Sequence, residues 1–395
     1  MAIVDTAASP PRASIWNDPN ARALIYQALA LAFVLGFGWY IWHNTYTNLE
    51  KRGIASGFDF LNSTAGFGIV MHLLPYTEES SYGRALLVGL LNTLMVAAIG
   101  VVLATVLGFV VGVARLSSNW LIARIAYVYI EVIRNVPLLL QIFFWYTLLG
   151  KSVPGPRQSL SLFDMFFLNN RGFYVPAPVP QDGFSAIVVA FALAVVGSIV
   201  LARWSRRRQE LTGEQFPVAL TSVGVIVGLP ILAALVTGIP FHWEYPELSG
   251  FNFQGGMVLI PELVSLTFAL TIYTAAFIAE IVRAGILAVS HGQTEASYAL
   301  GLRAGPTLRL VVVPQAMRVI IPPLTSQFLN LTKNSSLATA IAYPDVVAVF
   351  AGTVLNQTGQ AVECMAITMA IYLTTSLLTS AFMNWFNRRV ALVER

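Results

Sequence analysis

The chain has 395 residues, of which 56% are hydrophobic and only 11% are charged, and its formal net charge is +4. Soluble globular domains contain about 25% charged residues, so this composition excludes a water-soluble globule and predicts a polytopic membrane protein. The single cysteine, Cys364, excludes an internal disulfide and a CxxC metal site. The basic residues cluster beside membrane spans, so the positive charge gives no reason to expect a nucleic-acid partner.

Eight windows of the chain are apolar enough, and at about 20 residues long enough, to cross a bilayer as helices. The first follows a polar N-terminus and lacks a cleavage site of small residues, so it is predicted to be a retained span and not a signal peptide. The predicted spans are 23–42, 86–113, 122–149, 184–203, 217–238, 262–289, 307–332 and 362–386. Because eight is an even number, both termini are expected on one side of the membrane.

The arginines indicate which side that is. They fall in four regions that share one face of an eight-span chain, and the positive-inside rule makes that face cytoplasmic. These regions contain Arg115 and Arg124, the run RWSRRRQE from residue 203, Arg303 and Arg309, and finally Arg388, Arg389 and Arg395. The run RWSRRRQE is predicted to form a cytoplasmic loop. The outer connections are 43–85, 150–183 and 239–257, and they are predicted to be loops.

One outer connection contains an aromatic-rich stretch, RQSLSLFDMFFLNN at 157–170. Such a stretch could lie along the outer membrane interface. A loop packed on neighbouring spans explains it equally well, so both alternatives stay open.

A segment between two apolar spans, HGQTEASYALGLRAGPTLRLVVVPQA at 291–316, is polar and rich in turn residues. Thr294 can cap a helix, Glu295 suits the positive end of the helix dipole, and Gly301 can end the helix in a left-handed conformation. The segment therefore predicts a two-turn helix over 295–300 in the cytoplasm.

Two prolines follow this helix. Pro306 suits the first turn of the next helix, and Pro314 is predicted to kink that helix just inside the membrane. Turn residues alone would make the segment an ordinary connecting hairpin, whereas a short capped helix held between two spans is typical of a docking element.

The spacing of this segment closely resembles the EAA loop of ABC importer permeases, which runs Glu-Ala-Ala, three residues, Gly, nine residues, an aliphatic residue, one residue and Leu-Pro. Here Ser297 replaces the second alanine and Val313 replaces leucine. In that family the loop is a coupling helix that sits in a groove of a separate ATP-binding subunit. The resemblance implies this role for Glu295, Ala296, Ser297, Ala299, Gly301 and Pro314.

An ATP site within this chain is not expected. The nearest match to a phosphate-binding loop, WYTLLGKS at 145–152, has Trp145 where GxxxxGKS/T needs glycine, and it falls at the outer end of a span. The resemblance therefore implies a transport subunit that is not an enzyme and binds no cofactor, with ATP and Mg in a partner ATPase.

Four further stretches look like the polar amino-acid permease family, which contains the histidine and glutamine import permeases. They are GLLNTLMVAAIGVVLATVLGFVVGVARLS (89–117), YIEVIRNVPLLLQIFFWY (129–146), TAAFIAEIVRAGI (274–286) and LTKNSSLATAI (331–341). The resemblance implies an all-α polytopic fold with a type I ABC importer permease core of five helices, to which one N-terminal and two inserted helices are added.

The implied core lies in two parts of the chain, 86–149 and 262–395. Residues 1–85 hold the N-terminal tail, the first span and an outer loop, and 150–261 form an insertion with two extra spans. With these additions the chain most resembles the larger permease subunits of general L-amino-acid and glutamate/glutamine/aspartate/asparagine importers. The resemblance implies a bacterial inner membrane and, as partners, a second homologous permease, two ATP-binding subunits and a periplasmic amino-acid-binding protein.

Two acid–base pairs lie inside predicted spans at i, i+3 spacing, Glu131 with Arg134 and Glu280 with Arg283. Charges in hydrocarbon are costly and usually face the bundle or a wet cavity. Because the two spans run in opposite directions, Glu131 could pair with Arg283 and Glu280 with Arg134. Such crossed pairs would form a charged belt around the inner half of the path. Pairing within each helix is the alternative.

A zwitterionic amino acid needs an acceptor for its ammonium group and donors for its carboxylate. The candidates for the substrate path are Gln141, Glu280, Asn330, Lys333, Asn334, Ser335 and Ser336, and the prolines predicted to break helices beside it are Pro137, Pro322 and Pro323. Lys333 could instead snorkel to the outer interface, but the family has a similar Lys, Thr-Ser-Leu pattern there, with Ser335 here in place of threonine.

Two other functions are alternatives to that of an importer subunit. An ion-gradient-driven secondary transporter would be favoured by an inverted repeat of the two halves, and none is apparent. A membrane enzyme would need clustered catalytic side chains at one face, and the four scattered histidines provide neither such a cluster nor the spacing of a metal site. We therefore expect a permease subunit of an ATP-driven amino-acid importer, without a metal site.

Overall fold

The computed structural model describes residues 19–51, 53 and 56–390. Seven of the helices in these residues are long and apolar enough to cross a membrane, and an eighth span results if one bent pair of helices counts as a single span. The prediction of a mostly helical protein with about eight spans is therefore confirmed. The N-terminal tail before residue 19 and Arg395, both used in the predictions, lie outside the described residues.

The helices account for most of the described chain. They are α1 (Pro19–Lys51), α2 (Tyr82–Ala114), α3 (Trp120–Asn135), α4 (Leu138–Ser152), α5 (Phe184–Thr212), α6 (Val218–Val236), α7 (Pro261–Leu287), α8 (His291–Ala299), α9 (Ala304–Thr307), α10 (Val313–Asn334), α11 (Leu355–Thr358) and α12 (Ala361–Val390). A π-helical turn, Leu308–Val312, joins α9 to α10. A 3-10 segment, Ser335–Ile341, and a second π-helical segment, Val347–Val354, follow α10.

Helix α7 lies at the centre of the bundle and is buried along most of its length. It packs against α2, α3, α4 and α10, and Leu266, Leu270 and Ile278 on it are fully buried. The placement of its neighbours therefore depends on α7.

The backbone of α2 approaches α7 very closely because α2 presents glycines to it. A methyl group on Gly108 would lie 2.6 Å from Cβ of Ile278. A methyl group on Gly112 would lie 2.7 Å from the carbonyl oxygen of Ala279. Small residues are the usual means by which helix backbones come together in lipid, where no hydrophobic force drives helices together. These two glycines therefore set the spacing between α2 and α7.

The third predicted span, 122–149, is not one straight helix. It is divided into α3 and α4, with a bend of 106° between them. Val136 is extended (φ −100°, ψ 127°) because the ring of Pro137 disfavours the helical region for the residue before it, so the break predicted at Pro137 is present. The Gln141 side chain donates hydrogen bonds to the carbonyls of Ile133 (2.9 Å) and Val136 (3.0 Å). These bonds satisfy acceptors that the break leaves free.

The prolines of the seventh predicted span have different effects. Directly before Pro314 the chain forms the π-helical turn, in which the Val313 N–H donates to the carbonyl of Leu308. The kink at Pro314 stays a prediction. Proline lacks the N–H that would continue the normal ladder. By contrast, α10 runs through Pro322 and Pro323, and the prediction of a break there is wrong. Both prolines lie on the exposed side of α10, while buried side chains on its other side hold the helix in place.

The arginine run from residue 203 was predicted to be a loop. This prediction is wrong, because the run belongs to α5. The helix continues past Arg208 and ends at Gly213, which is left-handed (φ 74°). Arginine, glutamine, glutamate and leucine all favour helix, so nothing ends it before the glycine. Just beyond that end, the Arg208 guanidinium forms an ion pair with Glu214 (2.6 Å).

The described outer connections contain eight short strands that were not predicted from the sequence. They are β1 (Leu160–Leu162), β2 (Phe166–Asn169), β3 (Gly172–Val175), β4 (Ala177–Pro180), β5 (Phe241–Glu244), β6 (Glu247–Ser249), β7 (Asn252–Gln254) and β8 (Met257–Leu259). The strands β1, β2, β3 and β8 form one antiparallel sheet in that order, β4 pairs with β5, and β6 pairs with β7. The segments before α5 and after α6 are thus joined to each other.

The aromatic-rich stretch 157–170 is largely a β-hairpin within this sheet. Leu160 pairs with Leu168 across it, and the alternation of serine and leucine in SLSL provides the period of two that a strand needs. Phe163 at its tip is exposed, whereas Asn169 at its base is buried. The hairpin therefore packs on the rest of the chain mainly at its base.

A buried carboxyl group, Asp345, ties the connection after α10 to α12. Its oxygens accept hydrogen bonds from the Ala348 N–H (2.8 Å), the Thr339 hydroxyl (3.3 Å) and, on α12, the Tyr372 hydroxyl (3.4 Å). This connection, 342–360, lies between the two neighbouring spans. Burial raises the pKa of the Asp345 carboxyl to about 6, although these hydrogen bonds act in the opposite direction.

The close contact between α2 and α7 predicts a specific sensitivity to added volume. In Gly108→Ala the new methyl group overlaps Ile278, and overpacking of this kind costs about 1–3 kcal/mol. We expect a lower thermal unfolding midpoint for the detergent-solubilised chain. Gly197→Ala on α5 is the control, since nothing lies within 4 Å of the new methyl group and alanine is the better helix former. Equal midpoints for the two variants would contradict the packing described.

The raised pKa of Asp345 predicts a pH dependence of stability. Because its pKa is about 6 in the folded chain against an ordinary 3.8, the folded state binds the proton more tightly than the unfolded state. The contribution of Asp345 to the free energy of unfolding is therefore fully present below about pH 4, and roughly 3 kcal/mol of it is lost as the pH rises through about 6. Thermal unfolding in detergent across this range checks the slope. Asp345→Asn should remove this part of the slope and Asp164→Asn, at an exposed acid, should keep it; the same slope in both variants would refute the assignment.

Candidate functional site

The polar segment 291–316 contains a helix, α8, that begins earlier than predicted. It starts at His291, after an extended Ser290, so Thr294 lies inside the helix and is not its cap. The His291 ring bonds to Glu295 one turn later (Nδ1 to Oε1, 3.0 Å). The residues from His291 to Thr294 include no proline, so nothing prevents this additional turn.

The end of α8 lies where the sequence predicts it. Gly301 has φ 78°, a conformation that glycine adopts without the steric cost of a side chain. Its N–H donates to the carbonyl of Tyr298 (2.9 Å), and the Leu302 N–H donates to that of Ser297 (3.1 Å). This pair of bonds is the Schellman motif, which satisfies the last carbonyls of a helix. The C-terminus of α8 is therefore fixed by Gly301.

One face of α8 packs on the chain and the other is uncovered. Ser297 is buried, and its hydroxyl donates to the carbonyl of Gln293 (2.7 Å). Leu300 is 83% exposed and Tyr298 is 51% exposed. These two residues were not among the predicted coupling residues, of which Glu295, Ala296 and Ala299 are exposed on this helix. An exposed apolar surface on a short, fixed helix has the form of a docking surface.

The candidates for the substrate path other than Glu280 fall into two groups. Gln141 and Ser335 are buried, and each uses its donor group on backbone carbonyls of its own region. Ser336 donates in the same way to the carbonyl of Lys333 (2.7 Å), and Asn334 is half-buried. The side chains of this first group therefore mainly hold the backbone.

The second group lies on the exposed side of α10. The candidates Asn330 and Lys333 are exposed there, as is Ser326, which the sequence analysis did not select. Their spacing of four and three residues places the three residues on one face of the helix. We call these three residues the polar stripe. The opposite side of α10 is buried and includes Leu324 and Leu331.

The intramembrane charges pair differently from the crossed arrangement. The Arg283 Nε lies 3.1 Å and 3.0 Å from the two carboxylate oxygens of Glu280 on the same helix. The Arg134 guanidinium lies over the ring of Phe277 on α7, 5.1 Å from its centre. Neither crossed pair, Glu131 with Arg283 or Glu280 with Arg134, forms an ion pair. Glu280 and Arg283 therefore pair within their own helix, as the alternative predicted. Arg134 contacts α7 by stacking its guanidinium on the Phe277 ring.

Sequence reasoning missed two polar residues in this half of the chain. Asp345 is an isolated acid within an apolar stretch, and such an acid is a signal that could have been noticed. Arg318 on α10 has a buried Nε atom without a hydrogen-bond partner. Both residues lie close in sequence to the polar stripe, within or just after α10.

Comparison with known proteins identifies the family. The family described as "Binding-protein-dependent transport system inner membrane component" matches residues 216–392. This range includes α6 to α12 and with them α8, its glycine end and the polar stripe.

Three relatives extend the similarity to nearly the whole chain. YhdX of Escherichia coli (strain K12), named as an amino-acid ABC transporter permease protein, is 56% identical over 96% of each chain. The general L-amino acid transport system permease protein AapQ of Rhizobium johnstonii is 52% identical over 97% of this chain and 95% of its own. The glutamate/glutamine/aspartate/asparagine transport system permease protein BztB of Rhodobacter capsulatus is 44% identical over 98% and 99%. The chain therefore belongs to the family of amino-acid ABC transporter permeases.

Proposed function

We propose that the chain forms half of the translocation path of an ATP-driven, binding-protein-dependent importer of polar or general L-amino acids. The observation that carries this proposal is α8, whose apolar residues are uncovered at the position expected for the EAA loop, in a sequence without a phosphate-binding loop. The names of AapQ and BztB support the substrate class. An ion-gradient-driven transporter would give the uncovered face of α8 no purpose.

A separate ATPase subunit is the partner that α8 requires in this proposal. Burial of a leucine such as Leu300 contributes about 1.5–3 kcal/mol, so docking would be driven largely by the exposed apolar side chains. From Gly301 the chain passes through α9 and the π-helical turn directly into α10. A displacement of α8 by the closing ATPase would therefore reach the polar stripe through one continuous helical segment.

A second permease subunit would face the polar stripe. Exposed to lipid, Lys333 and Asn330 would be costly, whereas in a wet path between two permeases they would stay hydrated. Lys333 would attract the carboxylate of an amino acid, since Glu280 already has a partner in Arg283. In this proposal two ATPase subunits lie below the pair of permeases, and a periplasmic binding protein delivers the amino acid from above.

We also propose a bacterial inner membrane and both termini in the cytoplasm. With 16 and 15 residues, α3 and α4 are about 24 and 23 Å long. Each is shorter than a hydrocarbon core of about 30 Å, so the bent pair is counted as one crossing. With eight crossings the arginine regions share one face, which the positive-inside rule assigns to the cytoplasm.

Leu300→Ser tests the role of α8. Because Leu300 is 83% exposed, the substitution should leave the unfolding midpoint of the isolated chain nearly unchanged. Loss of its burial against the ATPase should lower substrate-stimulated ATP hydrolysis by the reconstituted complex about tenfold or more. Leu211→Ser, at an equally exposed leucine (86%) near the end of α5, should not affect hydrolysis. Full stimulation in Leu300→Ser would exclude α8 as the docking surface.

A further inference from the structure

Two arginines gather on one tyrosine ring where α2 is connected to α3. The guanidinium carbon of Arg115 lies 4.5 Å from the centre of the Tyr127 ring, and that of Arg124 lies 5.2 Å from it. Neither arginine is among the ion pairs of the described residues. Arg115 interacts with Glu280 only at longer range, and that carboxylate is already bound by Arg283. Two like charges at one ring repel each other, and an anion between them would relieve this repulsion.

A cavity of about 220 Å³ lies at these arginines. It is lined by Arg115, Trp120, Ala123, Arg124 and Tyr127. Trp120 and Ala123 belong to the first turn of α3, so the positive end of that helix dipole also faces this region. Asn119 caps the same turn through the N–H groups of Leu121 and Ile122. The cavity thus brings two guanidinium groups together with the side chains of Trp120, Ala123 and Tyr127.

An apolar groove of about 460 Å³ adjoins this cavity and shares Arg124 with it. The groove follows α3 and is lined by Arg124, Ile125, Val128, Tyr129, Val132 and Ile133. The Tyr129 hydroxyl donates to the carbonyl of Ile272 on α7 (2.6 Å), which fixes one wall of the groove. A cationic pocket at a membrane face that continues into an apolar groove along a span matches a phosphate headgroup followed by an acyl chain.

We propose that this site binds one anionic phospholipid, with its phosphodiester between Arg115 and Arg124 and one acyl chain in the groove along α3. The loop 115–119 joins two spans, so the arginines lie at the depth of lipid headgroups, and Trp120, which is 75% exposed, suits the same interface. A free phosphate would not use the groove, and a neutral lipid would not need two arginines. The proposal does not depend on which substrate the protein transports.

Native mass spectrometry of the full-length chain, with the subunits that co-purify with it, tests this assignment. The probes are phosphatidylglycerol, phosphatidylcholine with the same acyl chains, and inorganic phosphate. We expect one phosphatidylglycerol to bind in preference to phosphatidylcholine. A basic residue at an anionic membrane surface contributes about 1 kcal/mol to the free energy of binding. Arg115→Gln and Arg124→Gln should therefore each weaken phosphatidylglycerol binding about fivefold.

Two further variants keep the test specific. Arg208→Gln removes another arginine that is stacked on an aromatic ring, Trp204, and should leave phosphatidylglycerol binding unchanged. Val128→Trp fills the groove but leaves both arginines, and should weaken binding of the lipid. Equal binding of the two lipids, or an equal loss in Arg208→Gln, would overturn the proposal. Displacement of the lipid by inorganic phosphate at similar concentrations, or undiminished binding in Val128→Trp, would show a site for a free anion and would also overturn it.

Discussion

The contact between α2 and α7 is the interaction on which the rest of the structure depends. Lipid supplies no hydrophobic force between helices, so their association relies on close packing, and Gly108 and Gly112 permit that packing. α3, α4 and α10 also pack on α7. A change in the distance between α2 and α7 would therefore alter the packing of each of these helices. The same contacts hold the helices that carry the polar stripe and the two arginines at Tyr127.

Polar groups within this bundle have two distinct roles. Those that are buried hold the backbone, as Gln141 does at the α3–α4 break and Asp345 does beside α12. Those left exposed, in the polar stripe and on α8, have few hydrogen-bond partners within the described part of the chain. In a membrane, such exposed groups require water or another subunit. Burial therefore separates the structural residues from those that we assign to transport and coupling.

The sequence was sufficient for features that depend on one residue or on a long apolar run. Gly301 ends α8 because a positive φ favours glycine, and Pro137 breaks its span because proline restricts the residue before it. The strands were not predicted, since each is three or four residues long and pairs with a distant segment, as β3 does with β8. The burial of Gln141 and the pairing of Glu280 with Arg283 depend on tertiary packing, so spacing alone left them open. The amino-acid permease family, expected from the motifs, is confirmed by the relatives.

Uptake of labelled glutamate, glutamine, aspartate, arginine and leucine into proteoliposomes tests the central claim most directly. The vesicles would contain this chain with a partner permease, an ATPase and a binding protein, and each component would be omitted in turn. The account predicts accumulation that requires ATP and every component, with the relative rates defining the preferred amino acid. Accumulation by this chain alone under an ion gradient, without ATP, would contradict it.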